Sequence, residues 1–420
     1  MEIVVSQYGN GDVKTLTEAF AKCKDAKESV TIYVRTGIYE EKLELFRNDV
    51  TIIGENPYTT VITYHDYAKK IHEDGKNYGT FRTPTLKLVG NRVTLKNLTV
   101  ENSSGNGRDY GQAIALYMDG DFMAVENCRL LGHQDTLFTG PTTECKQNEE
   151  ASMSPSLHTC VARQYYKNCF ISGDIDFIFG GAAAYFENCD IFSRYSITEE
   201  DEKHAGKVKG YATAACTWRD NMYGYVFDKC RFLGDCPKNS VYLGRPWRIY
   251  AKTVLLNCVV GPHIKKAGWS DWDKEAAHDA CMYAEYNCVY LEDDALVEEG
   301  LQFAVNNSAD RVDPFFTLTE EELKKLKKEK EKDKDKKKDK DKEKDKDKKK
   351  DKEKDKKKEK DKKKEKKGML SFSFNKEQKK ASDNILKNRP KWVHILTEKE
   401  AAAFSMELVL GEFSKTAKNL

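Results

Sequence analysis

Six short stretches share one local pattern: ENCRLLG at 126–132, KNCFISG at 167–173, ENCDIFS at 187–193, DKCRFLG at 228–234, LNCVVG at 256–261 and YNCVYL at 286–291. Each sets alternating apolar positions around a polar-cysteine pair, as a short strand does. VTLKNLTVEN at 93–102 reads as a further copy, with Leu98 at the cysteine position. Short strands repeating in this way, with no helices between them, indicate a β-solenoid. The shortest interval, Cys169 to Cys189, is 20 residues, enough for one bare coil of three strands and their turns. Two intervals of 41 residues each contain a polar stretch of about the excess length, 140–160 and 194–209, which reads as a loop leaving the coil.

The cysteine pattern also predicts the state of the thiols. Small side chains stacked coil upon coil would be buried, and no CxxC pair argues for a metal or redox role. The twelve cysteines are expected to be reduced, because the opening MEIVVSQYGNGDVKTL has neither a basic start nor an apolar stretch of the kind that directs secretion. A cytoplasmic protein is expected. No later run approaches the ~18 apolar residues of a membrane span, so no membrane partner is expected either.

Around the solenoid, residues 15–26 have helical spacing, with Leu16, Ala19, Phe20 and Cys23 on one face, and suit a cap over the first coil. Residues 324–367 hold 28 lysines against 15 acids, a net +13, so the rest of the chain carries −11 although the total is only +2. An acidic body is unlike a nucleic-acid binder, whose basic face belongs on the folded part. No apolar residue occurs between Leu326 and Met369, so this run has nothing to bury. The expected organisation is a β-solenoid over 1–312, an insertion over 313–390 acting as a solvated spacer, and a helical segment over 391–420 that returns to pack on the body. A monomer is expected.

Asp135 lies seven residues after Cys128 and Asp176 seven after Cys169, so both occupy the same angle on neighbouring coils. Stacked parallel strands are ~4.8 Å apart, which makes the carboxylates near neighbours. Two carboxyl groups so placed titrate as a coupled pair and offer one acid and one nucleophile. Gln134 adjoins Asp135, and Gln112 begins QAIAL on the preceding coil; their amides suit an oxyanion. Arg245 precedes Cys258 by 13 residues, as Asp176 precedes Cys189, so it shares that angle more than one coil away, within reach of a long guanidinium. Phe138, Phe179, Trp247 and Trp272 neighbour these groups and are candidates to line a sugar-binding groove, with core packing the competing role. His133 beside the pair reads as structural.

At these residues the chain resembles a known family. GHQDTLF at 132–138, GDIDFIFG at 173–180 and LGRPW at 243–247 resemble, in order and approximate spacing, the signature motifs of pectin methylesterases, and QAIAL at 112–116, GWSDW at 268–272 and GNGDVKTLTEAF at 9–20 resemble further blocks. The resemblance implies a right-handed parallel β-helix, needing no metal or other cofactor, that acts on methyl-esterified polygalacturonate or oligogalacturonides. It implies Asp176 as nucleophile, Asp135 as acid and then base, Gln112 and Gln134 at the oxyanion, Arg245 holding Asp176, and Trp247 and Trp272 flanking the groove. The chain departs from the family in having Phe138 where tyrosine is frequent, in a 139–162 loop longer than in plant-type members and closer to bacterial ones, and in the lysine-rich insertion. A retaining glycosidase also pairs two carboxylates ~5 Å apart, and a pectin-binding solenoid without catalysis is a further alternative, although it leaves the stacked aspartates without a purpose.

Overall fold

A computed structural model describes residues 1–24, 26–140, 162–196, 208–291 and 376–418. Its strands form three parallel sheets of eleven, seven and nine strands among the described residues, each sheet taking one strand from successive coils. The molecule is a right-handed parallel β-helix. The coil between Cys169 and Cys189 shows the unit: Phe170–Gly173 in the nine-stranded sheet, Ile175–Gly180 in the seven-stranded sheet, then Ala183–Glu187 in the eleven-stranded sheet.

The residue before each repeat cysteine, or before Leu98 in its place, makes the coil turn. Asn97, Asn127, Asn168, Asn188, Lys229, Asn257 and Asn287 all have φ of 50–55°, the left-handed conformation that asparagine tolerates better than most side chains. Their amides then form a ladder up the solenoid. Asn127 donates to Asn97 at 2.8 Å, Asn188 to Asn168 at 2.6 Å and Asn287 to Asn257 at 2.8 Å. Where Lys229 interrupts the series, Asn257 donates instead to the Asp228 carboxylate at 2.9 Å.

The six repeat cysteines are buried and free, and the amides of Cys169 and Cys189 each donate to the sulfur one coil on, both at 3.4 Å. Burial pushes the thiols of Cys169, Cys189 and Cys230 well above the usual range, so they act as small core groups. Aromatic stacks run beside them, with Phe186 parallel to Tyr166 at 4.6 Å and to Phe227 at 4.4 Å. Truncating such a fully buried ring costs about 3–5 kcal/mol.

The helix Leu16–Cys23 covers the first coil as expected, buries Leu16, Ala19, Phe20 and Cys23, and begins with a capping box between Thr15 and Glu18. The other end differs from expectation in two ways. WVHIL at 392–396 has helical periodicity, yet Val393–Ile395 is a strand paired with Tyr283–Glu285, because the last sheet edge offers unpaired backbone groups. The short helices after it press Val409, Leu410 and Phe413 onto Tyr165, Tyr185 and Val226 on the outer side of the eleven-stranded sheet.

The insertion expected over 313–390 is also too long at its C-terminal end. Met1–Val312 and Lys376–Leu420 form one compact unit. The Ser382 hydroxyl accepts from the Tyr290 amide at 3.1 Å, and Arg389 donates to the buried Glu285 at 2.6 and 3.2 Å. Trp269 donates to the same carboxylate at 3.0 Å. A buried carboxylate requires a counter-charge, and here it comes from more than a hundred residues downstream, so the composition of 376–390 could not reveal it. The lysine-rich run and most of the two polar loop stretches lie outside the described residues. Among the described residues no helix is long and apolar enough to cross a membrane.

Candidate active site

The two aspartates share a register. Leu137–Gly140 pairs with Ile175–Gly180 so that Leu137 meets Ile178 and Phe138 meets Phe179, which carries Asp135 onto the level of Asp176 one coil away. The Asp135 amide donates to the Ile175 carbonyl at 3.1 Å. Both aspartates have left-handed backbones, φ 65° and 51°. Aspartate bears that conformation at modest cost, and residues held in it cluster where a side chain must be aimed.

At Asp176 the backbone bends where it pairs with the next coil. Against the next strand, Gly210–Ala215, the register slips between Ile175 and Ile178, a bulge of one extra residue. Phe177 and Ile178 then both enter the core, while Asp176 and Phe179 remain on the outer face of the sheet.

Arg245 follows the strand Val241–Gly244, two strands beyond Asp176 in the sheet, and its guanidinium spans the gap. Nε donates to Asp176 Oδ1 at 2.8 Å and Nη2 to Oδ2 at 2.7 Å, a two-pronged contact. The guanidinium is held between two rings, with its carbon 3.6 Å from the centre of Trp272 and 3.8 Å from that of Tyr211. Sequence reading did not single out Tyr211; its signal was the register, since it pairs with Ile175 beside Asp176.

The environments of the carboxyl groups differ. Burial pushes Asp135 well above the usual carboxylate range, and the nearby Asp176 pushes it further. Burial also raises Asp176, but Arg245 opposes this through its hydrogen bonds and charge. Of the two, Asp135 is the carboxyl group on which the arrangement favours a proton, beside an Asp176 whose charge Arg245 supports.

Gln134 and Gln112 are half-buried on successive coils, where the Ala113 amide donates to the Gln134 carbonyl at 3.0 Å. Gln134 lies against Gly107, where an added Cβ would come within 2.4 Å of the glutamine Cβ, so this approach needs glycine. Behind it Asp174, another residue that sequence reading passed over, accepts from the amides of Gly107 at 3.2 Å and Ile175 at 2.7 Å and lies 3.1 Å from His133 Nδ1. His133 is therefore tied into the scaffold, in line with its structural reading.

Phe138 and Phe179 are buried, only 2% and 3% exposed, so they serve as a floor beneath the outer face. Tyr117, Phe138, Phe179 and Trp247 follow one another with ring centres 4.4, 5.1 and 5.8 Å apart. Trp247 and Trp272 are half-buried, and Lys274 links their loops by donating to the Pro246 and Trp247 carbonyls at 2.7 and 3.0 Å while lying 4.3 Å over Trp272.

A family model described as Pectinesterase matches residues 2–148 and 144–290. Pectinesterase QRT1 of Arabidopsis thaliana is 32% identical over 299 residues, covering 68% of this chain and 68% of its own length. Three other curated plant relatives match a similar share of this chain, which spans only 37–47% of their length. Among solved structures, pectin methylesterase from carrot has a TM-score of 0.56 at 28% identity, covering 74% of this chain and 85% of its own. Pectin methylesterase PemA from Erwinia chrysanthemi has a TM-score of 0.60 over 97% of this chain and 96% of its own, at 22% identity, a likeness of fold.

Proposed function

Because the chain belongs to the pectinesterase family, we propose that it hydrolyses the methyl esters of galacturonate in pectin or oligogalacturonides, releasing methanol. The observation that carries this reading is the unequal pair: Arg245 opposes the protonation of Asp176, while burial and the neighbouring charge keep Asp135 protonated. Asp176 attacks the ester carbonyl carbon, and the carbonyl oxygen takes the electron pair within reach of the Gln112 and Gln134 amides. As the intermediate collapses, the methoxy group leaves with the Asp135 proton as methanol and the galacturonyl group stays on Asp176 as an anhydride. Asp135, now a carboxylate, takes a proton from water as the water attacks the galacturonyl carbon. That step frees the galacturonate and restores both aspartates.

The half-buried Trp247 and Trp272 border the site and would stack on sugar rings, above the floor of Phe138 and Phe179. The ten described cysteines are free and buried, which supports a reducing, cytoplasmic setting in which imported oligomers would be the substrate. The net +13 over 324–367 would attract anionic, de-esterified galacturonate oligomers.

The test is methanol release from methyl-esterified oligogalacturonides, followed together with reducing ends. Methanol without new reducing ends is the expected result. New reducing ends without methanol would instead mark a glycosidase.

A further inference from the structure

The loop that carries Trp272 lies against the strand Val241–Gly244. The Leu243 amide donates to the Gly268 carbonyl at 2.8 Å and the Ser270 amide to the Gly244 carbonyl at 3.0 Å. Arg245 is the next residue, and Trp272 closes over its guanidinium at 3.6 Å. Trp272 and Asp273 both have left-handed backbones, φ 58° and 54°, which a bulky ring adopts only at a cost. Such a loop keeps its shape only where surrounding contacts impose it.

Two residues that follow the lysine-rich run in sequence make contacts of this kind. Arg389, with 2% of its side chain exposed, passes beside Gly268, where an added Cβ would stand 2.5 Å from the guanidinium carbon. Its Nη1 donates to the Lys266 carbonyl at 2.6 Å, and its Nε donates to Glu285, which also accepts from Trp269 Nε1 at 3.0 Å. The entrance of the loop is thus tied at residues 266, 268 and 269. Trp392 reaches the other side. Its ring stacks on His278 at 5.2 Å with the planes within 8°, and His278 Nε2 lies 2.9 Å from Asp271 Oδ2, one residue before Trp272. Trp392 also meets Tyr283 at 5.7 Å, and Tyr283 stacks on Trp269 at 4.4 Å.

Closing the last coil requires only paired backbone and apolar cover, and the strand Val393–Ile395 already pairs that edge. A buried arginine–carboxylate pair is a costly way to do the same, yet its contacts converge on one loop. We infer that Arg389 and Trp392 are positioning residues for catalysis, fixing the 266–274 loop so that Trp272 holds the Arg245 plane where it makes both bonds to Asp176. Neither residue touches substrate, and the role rests on the esterase reading for its chemistry. A loosened guanidinium would leave the buried Asp176 easier to protonate and less well aimed at the ester carbon. The chain beyond the lysine-rich run is then part of the catalytic device.

Two variants of the full chain remove this grip while sparing the fold. Arg389→Met combined with Glu285→Gln takes out both buried charges together, so no unpaired carboxylate remains. Trp392→Leu keeps apolar volume and loses the ring over His278. In each, kcat for methanol release should fall roughly tenfold or more with a smaller change in KM, since a misplacement of about 1 Å can cost ~10²-fold. The acidic limb of kcat/KM should move to higher pH, because Asp135, Asp174, Lys274 and the Tyr211 and Tyr283 phenols, the other titratable groups around Asp176, stay in place. Trp392→Phe should restore most of kcat. Hydrogen exchange should quicken at the Leu243 and Ser270 amides. Val409→Ala, in the same return segment but packed on the eleven-stranded sheet, should lower Tm without moving kcat or the limb. Unchanged kcat and an unmoved limb in the folded loop variants, whatever happens to Tm, would overturn the positioning role and leave Arg389 and Trp392 as a cap. If the wild-type protein released no methanol from any oligomer, the esterase reading would fail, while unchanged exchange at the two amides would separately show that Arg389 and Trp392 do not fix the loop.

Discussion

Arg245→Lys probes the asymmetry of the aspartate pair. Arginine makes two charge-assisted bonds to Asp176, at 2.8 and 2.7 Å, and its plane is sandwiched by Trp272 and Tyr211. A lysine ammonium is a point charge that cannot hold both oxygens or stack in this way. Losing one such bond removes about 1.5–3 kcal/mol of preference for the ionised carboxylate. At 1.36 kcal/mol per pH unit this corresponds to roughly one to two units. The sign follows from the role: burial alone raises Asp176, Arg245 opposes that, and a nucleophile must be ionised. The acidic limb of kcat/KM, which reports the free enzyme, should therefore move to higher pH by roughly one to two units. Methanol release from a neutral oligomer across a pH series measures it, with circular dichroism confirming the fold. The limb belongs to the coupled pair, so the shift rather than its absolute position is diagnostic. A limb that stayed in place or moved to lower pH in a folded variant would refute the idea that Arg245 keeps Asp176 ionised.

Asp135→Asn should abolish turnover yet raise thermal stability at pH 7. A carboxyl group whose folded pKa is raised contributes stability below its unfolded pKa and loses it as pH rises through the folded one, so at neutral pH Asp135 is a burden on the fold. Scanning calorimetry should show a Tm gain of about 2 °C or more, the scale of ~1 kcal/mol, and a loss in Tm would count against its raised pKa. Gln134→Ala and Gln112→Ala should each lower kcat by roughly a hundredfold with a smaller effect on KM, as removal of an oxyanion donor does; steady-state kinetics in which only KM changed would make them binding residues. Deleting 313–375 should leave Tm and activity on short oligomers nearly unchanged, because loop-closure cost varies by only ~0.6 kcal/mol per doubling of length. Deleting 313–390 also removes Arg389 and leaves Glu285 buried without its counter-charge, at a cost of about 3–5 kcal/mol, so its Tm should fall by roughly 10 °C.

Much of this protein could be read from its sequence because a solenoid repeats its local rules. Each coil must turn at the same place, so the residue before each cysteine recurs, and the common offset of Asp135 and Asp176 from Cys128 and Cys169 fixes their common register. The offset of Arg245 from Cys258 carried the same information, and the guanidinium does reach Asp176. What stayed hidden depends on contacts between residues distant in the chain or on one residue's departure from the repeat. Nothing in GDIDFIFG announces the bulge that aims Asp176 outward, since it exists only against the register of the next coil. The left-handed turns at Asn127 or Asn168 could have been suspected from asparagine alone, but the amide ladder needs the stacked coils. WVHIL has a helix's periodicity and forms a strand, because the unpaired edge of the last coil outweighs local preference. Arg389 stands among ordinary surface charges in the sequence, and only the buried Glu285 assigns it to the body of the protein. Local periodicity specified the coil and the recurring position of its turns, whereas the preference for a proton on Asp135 over Asp176 comes from burial and from a guanidinium two strands away, which only tertiary structure supplies.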